Sequence, residues 1–188
     1  MKSNIMLPLV SFIWIASEVA LIIYKRSESN DADHDSRSII WLNVIIYGSV
    51  ALAVLTAFTG VGFIHAGKLS LAWIGLSLII SGLAIRWAAI LSLRRYFTVN
   101  VAIRKGHQLY GKGLYGTIRH PSYLGSLVSF LGLGVALSNW ISLSILLLFI
   151  TTAFIRRIKL EEQVLIQTFG KEYEDYCRST WRLIPWLY

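Results

Sequence analysis

Apolar residues in this chain of 188 gather into runs of about 15–25, separated by polar stretches, and they do not alternate. A helix needs roughly 20 apolar residues to cross the hydrocarbon layer, whereas a membrane barrel would show a period of two. Five spans are therefore expected, at about residues 5–24, 39–59, 69–93, 123–138 and 140–155. The last two are short and parted only by Ser138, Asn139 and Trp140, which predicts a tight helical hairpin. The expected fold class is all-α integral membrane: five transmembrane helices with a cytoplasmic cofactor-binding loop and a C-terminal helix, in one domain over 1–188.

The first run follows Lys2 and resembles a signal peptide, but no small-x-small cleavage site precedes the charged stretch, so it is read as a helix. Residues 25–38, KRSESNDADHDSRS, are polar and are expected to form a solvated loop. The longest stretch outside the spans is 94–122. Hydrophobic residues make up 55% of the chain, above the roughly 45–50% of soluble domains, which supports a membrane-embedded class.

The net charge of +8 reports topology before it reports ligands. Of the 18 Lys and Arg residues, three lie in 25–38, six in 94–122 and six from Arg156 onward. Placing those segments in the cytoplasm leaves only Lys2 and Lys68 outside, with Arg86 inside a span, so the N-terminus is expected outside and the C-terminus inside. Nucleic-acid binding would need a soluble basic face, which the pattern lacks. Cys177 stands alone, which excludes an internal disulfide or a cysteine-built metal cluster, and four scattered histidines argue against zinc. Without an internal repeat, a transporter built from inverted halves is disfavoured.

Chemistry concentrates in the second half. From His107 the chain reads HQLYGKGLYGTIRHPSYLG, with glycines that permit close backbone approach and with Tyr110, Tyr115 and Tyr123 as flat faces for a purine or a cation. Pro121 suits the first turn of a helix, so Arg119 and His120 could equally be plain interfacial residues. After the fifth span a helix is expected to continue to about Phe169, with Arg157 and Glu161 four apart on one face. Glu18 and Arg86 lie inside spans, where an ionisable group is costly enough to mark a functional site. Gly132-Leu133-Gly134 reads as a small-residue face between helices or as a close-approach site for a cofactor.

The sequences GLYGTIRHPSYLG and LEEQVLIQTFGKEYEDY, joined by the helical hairpin, resemble the isoprenylcysteine carboxyl methyltransferase family over about residues 82–188. The resemblance implies a methyltransferase that uses S-adenosyl-L-methionine without a soluble nucleotide-binding fold. It implies cofactor contacts from His107, Gln108, Leu109, Tyr110, Tyr115, His120, Pro121, Ser122, Tyr123 and Glu161, and substrate-site arginines at Arg86 and Arg157. The implied partner is a lipid-like carboxylate that enters from the bilayer, with membrane lipids around it. The alternatives are a phospholipid amine methyltransferase, a sterol-type membrane reductase and a non-enzymatic scaffold; two substrate-site arginines favour an anionic acceptor over an ammonium.

The expected orientation predicts that single cysteines placed at Ser29 and Lys68 differ in reach of an impermeant thiol reagent: position 68 is labelled from outside intact cells and position 29 is not. Labelling of position 29 from outside would reverse the topology.

Overall fold

The computed structural model describes residues 14, 16, 32–65, 67–93 and 109–188. The first expected span, apart from Trp14 and Ala16, lies outside the described residues, as do Glu18 and the stretch 94–108 with His107 and Gln108. The described chain forms helices α1 (Ala32–Thr59), α2 (Lys68–Leu93), α3 (Pro121–Ala136), α4 (Trp140–Phe169) and α5 (Lys171–Ser179), with a 3-10 turn at Gly113–Gly116 before α3. Three of these helices, over Arg37–Thr59, Leu69–Leu93 and Trp140–Phe169, are long and apolar enough to cross a membrane, and α3 is a shorter apolar helix.

The helix α1 starts at Ala32, so the second half of the expected solvated loop 25–38 is helical. Its polar residues carry no apolar period to reveal this, and the helix propagates into them from the apolar run. The helices α2 and α3 begin within two residues of the expected spans. At Pro121 the missing N–H costs nothing, because the first turn has no partner for it.

Much of the apolar surface faces outward: Phe58 is 84% exposed, and Trp41 and Leu55 each 64%. Lipid is the solvent for such a surface, and helices satisfy their own backbone groups within it. The protein is an integral membrane protein. Its helices therefore need another reason to pack, and small residues supply it. α2 packs along α3 and α1 along α4. A Cβ added at Gly75 would come within 2.5 Å of the Gly132 carbonyl oxygen, and one at Gly125 within 2.6 Å of the Arg86 nitrogen. Gly82 is closed off in the same way by Gly125 and Ser129. Gly132 is thus a helix-packing glycine, and Gly134 packs against Leu143 of α4.

The end of the bundle opposite the site is tied by one buried side chain. Asn139 caps α4 by accepting from the Ser142 N–H at 3.0 Å, and its amide donates to the Val61 carbonyl at 2.7 Å. Trp140 N–H donates to Gly62 O at 2.9 Å and Ile64 N–H to Ser138 O at 2.8 Å, so the α1–α2 turn and the α3–α4 turn are joined. Ser142 donates to Ala53 O of α1 at 2.6 Å.

With both turns fixed there, helix length decides what emerges at the other end. At about 1.5 Å per residue the 16-residue α3 rises about 24 Å, and the 30-residue α4 about 45 Å. The second half of α4 therefore projects past the start of α3, carrying Arg157, Glu161 and Glu162 to the level of His120 and Tyr123.

Candidate functional site

Glu161 and Glu162 are adjacent on α4, so their side chains point about 100° apart around the helix. Glu161, whose side chain is 33% exposed, accepts a hydrogen bond from the Tyr123 hydroxyl at 3.2 Å. Glu162 points into the protein, and its side chain is only 7% exposed. The His120 ring bridges the two, with Nε2 3.3 Å from Glu162 Oε1 and Nδ1 3.9 Å from Glu161 Oε2.

Glu162 is the centre of a buried charge cluster. Arg119 Nε donates to its Oε1 at 3.0 Å, and Arg182 Nε lies 2.8 Å from its Oε2, a charge contact without the angle of a hydrogen bond. Arg119 also donates from Nη1 to the carbonyls of Cys177, at 2.8 Å, and Thr180. Backbone bonds run parallel to these contacts: Trp181 N–H donates to Thr117 O at 2.9 Å, Arg119 N–H to Trp181 O at 2.8 Å, and His120 N–H to Arg182 O at 3.2 Å. The segment after α5 is thereby fastened to the residues that lead into α3. The interfacial alternative for Arg119 and His120 does not hold here, because both are tied inward.

The aromatic wall stands beside this cluster. Tyr115 is buried in the 3-10 turn, Tyr110 meets it edge-on at 5.8 Å between ring centroids, and Tyr176 of α5 donates from its hydroxyl to the Tyr115 carbonyl at 2.6 Å. Burial, followed by the charge of Glu161, holds the Tyr115 phenol above the ordinary tyrosine range, with Arg86 opposing the shift. Burial also pushes Tyr176 up to about 12, against Arg119. These phenols remain donors at any physiological pH. Burial likewise raises the Cys177 thiol, although Arg119 opposes it, which moves this residue away from thiolate chemistry.

Most residues implied by the resemblance fall in one region. His120, Pro121 and Ser122 are buried, while Leu109, Tyr110, Tyr123 and Glu161 are half-buried. Arg86 of α2 donates from Nη1 to the Ser122 carbonyl at 3.3 Å. Arg157 is buried on α4, donates from Nη1 to the Ser38 hydroxyl at 2.9 Å and lies close to the Tyr123 hydroxyl. His107 and Gln108 lie outside the described residues. Sequence reasoning missed Ser38, Arg182 and the role of Glu162. Glu162 carried a signal, a second carboxylate beside Glu161, but nothing in the sequence told which of the two turns inward.

The arrangement offers a partly open carboxylate, aromatic faces and two guanidinium groups at one level of the bundle. A site of that kind can hold a cationic or zwitterionic molecule next to an anionic one. The profile of the isoprenylcysteine carboxyl methyltransferase (ICMT) family matches residues 73–167. A probable protein-S-isoprenylcysteine O-methyltransferase of Oryza sativa subsp. indica is 34% identical over 117 residues, 61% of each chain. A shorter match, 36% identical over 86 residues, reaches a Delta(14)-sterol reductase of Mus musculus, covering 44% of this chain and 20% of that protein. The solved structure of the eukaryotic intramembrane Ras methyltransferase ICMT aligns with a TM-score of 0.59 at 26% identity, over 85% of this chain and 55% of that one. The matches thus span less than two thirds of the length of these proteins, 61%, 20% and 55% in turn.

Removing the Glu162 charge leaves Arg119 and Arg182 without their shared counter-ion. Glu162→Gln is expected to cost about 3–5 kcal/mol, lowering Tm by about 10 °C and exposing the segment after α5 to protease. An unchanged Tm and protease pattern would show that the cluster does not fasten that segment.

Proposed function

Because the chain belongs to the isoprenylcysteine carboxyl methyltransferase family, we propose that it transfers a methyl group from S-adenosyl-L-methionine to the carboxylate of a lipid-modified, isoprenylcysteine-like acceptor, giving a methyl ester. The observation that carries this reading is the pairing of Glu161 with Tyr123 beside Arg157, which sets a partly open carboxylate next to a buried guanidinium.

The donor set fits the cofactor. Glu161 suits a cationic group, Tyr110 and Tyr115 offer ring faces and edges, and His120, Pro121, Ser122 and Tyr123 line the start of α3; the family motif adds His107, Gln108 and Leu109 to the set. When bound, S-adenosyl-L-methionine supplies an electrophilic methyl group on a sulfonium. The chain's own residues do the rest. A carboxylate with a pKa near 4 is already ionised at neutral pH, so no general base is required. Arg86 and Arg157 orient it, their planar forks together engaging one oxygen so that the other stays free to attack. Opposite charges vanish along the reaction, so the water exclusion given by the buried tyrosines and the bundle lowers the barrier.

The same reading has five spans, the N-terminus outside, and the site and C-terminus in the cytoplasm, with the lipid part of the acceptor entering sideways from the bilayer. Amine methylation would require removal of a proton from an ammonium beside two guanidiniums. A nicotinamide reductase would need arginines for phosphate, whereas Arg119 and Arg182 are engaged by Glu162.

Incubation with methyl-labelled cofactor and an S-prenylated cysteine tests the proposal, because an ester releases its label as methanol in mild base. Base-labile product is expected. In Arg86→Lys, which keeps the charge and loses the fork, turnover falls by about two decades while cofactor binding survives. Base-stable label would point to amine methylation, and full activity of Arg86→Lys would remove the bidentate role.

A further inference from the structure

The site residues implied by the family motifs begin at Arg86, and the family profile begins at residue 73. Among the described contacts that cross that boundary, the one from Arg157 to α1 involves a proposed acceptor-site residue. The Arg157 guanidinium, on a residue only 2% exposed, donates from Nη1 to the Ser38 hydroxyl at 2.9 Å, joining residues 119 apart in the sequence. Ser38 lies in α1, which runs from Ala32 and packs along α4. Had residues 25–38 formed the solvated loop suggested by their composition, Ser38 would have no fixed position. As part of a helix packed on α4 it has one.

We propose that Ser38 is a positioning residue for the acceptor site, setting the plane of the Arg157 guanidinium so that its fork meets the acceptor carboxylate. The inference rests on the reading of Arg157 as a carboxylate-holding residue. A guanidinium is planar and its long side chain has many rotamers, so binding is strengthened when a neighbour fixes that plane beforehand. Tyr123 fits the same scheme, since its hydroxyl donates to Glu161 and lies close to Arg157. α1 thereby contributes to chemistry whose sequence signature lies wholly outside it, and the choice of side chain at position 38 tunes affinity for the acceptor without touching the cofactor.

Equilibrium binding separates these roles. The probes are an N-acylated S-prenyl cysteine, added in the presence of S-adenosylhomocysteine, and S-adenosyl-L-methionine alone. Alanine at position 38 keeps the helix. Ser38→Ala is expected to raise the acceptor Kd by about tenfold, the loss of one hydrogen bond to a charged group, with cofactor Kd unchanged. Ser38→Thr, which retains the hydroxyl, restores the acceptor Kd. Wild-type acceptor affinity in Ser38→Ala, alongside a large loss in Arg157→Lys, would overturn the role of Ser38 and leave that of Arg157 standing. Wild-type acceptor affinity in Arg157→Lys would overturn both. Equal loss of acceptor and cofactor affinity, unrescued by threonine, would make Ser38 a stability residue and overturn the proposal.

Discussion

A carboxylate closed off from solvent must be balanced where it sits, and Glu162 is balanced by groups drawn from two other parts of the chain. Arg119 and His120 come from the residues just before α3, and Arg182 from the segment beyond α5. Its desolvation is tolerable only because those donors arrive together, which makes the local fold cooperative. The consequence reaches the site directly. His120 is anchored through one ring nitrogen by Glu162 while the other faces Glu161, so the buried charge cluster sets the geometry of the half-open one.

Lipid imposes the second constraint. Apolar burial does not drive helices together in a hydrocarbon solvent, so α2 and α3 meet through Gly75, Gly82, Gly125 and Gly132 at distances that admit no Cβ. Arg86 lies in that same close seam, its backbone nitrogen against Gly125, which fixes its height relative to Ser122 and Tyr123. The lengths of α3 and α4 then determine that the turns meet at one end and the polar groups at the other. Packing that serves stability and placement that serves chemistry are here the same set of contacts.

Much of this was legible in the residues. The run 69–93 carries one charge, Arg86, among mostly apolar residues and is bounded by Lys68 and Arg94, and the observed α2 differs from it by one residue at its start. The short hairpin followed from Ser138-Asn139 between two apolar runs, although the second bond of Asn139, to Val61, did not. Where the pattern was silent, a physical reason is evident. α1 extends into KRSESNDADHDSRS, whose helicity is borrowed from its apolar continuation, and no periodicity announces that. Glu161 and Glu162 are chemically identical, and only the tertiary positions of Tyr123 and Arg119 tell them apart. The bond from Arg157 to Ser38 joins positions too distant in sequence for any local rule. Of the cofactor-side residues implied by the family motifs, His120, Pro121, Ser122 and Tyr123 stand at the start of α3, with Glu161 bonded to Tyr123.

On the proposed function, α3 and α4 assemble one cofactor site in which Glu161, held by Tyr123 and His120, answers the positive charge of S-adenosyl-L-methionine. Calorimetric titration of purified protein with the cofactor, compared with Glu161→Gln, tests it most directly. The account predicts saturable one-site binding to the wild type and a loss of about one to two decades in the variant, the worth of a charge-assisted hydrogen bond of roughly 1.5–3 kcal/mol, with Tm of the free protein unchanged. Equal affinity in the two proteins, or no binding to the wild type, would contradict it.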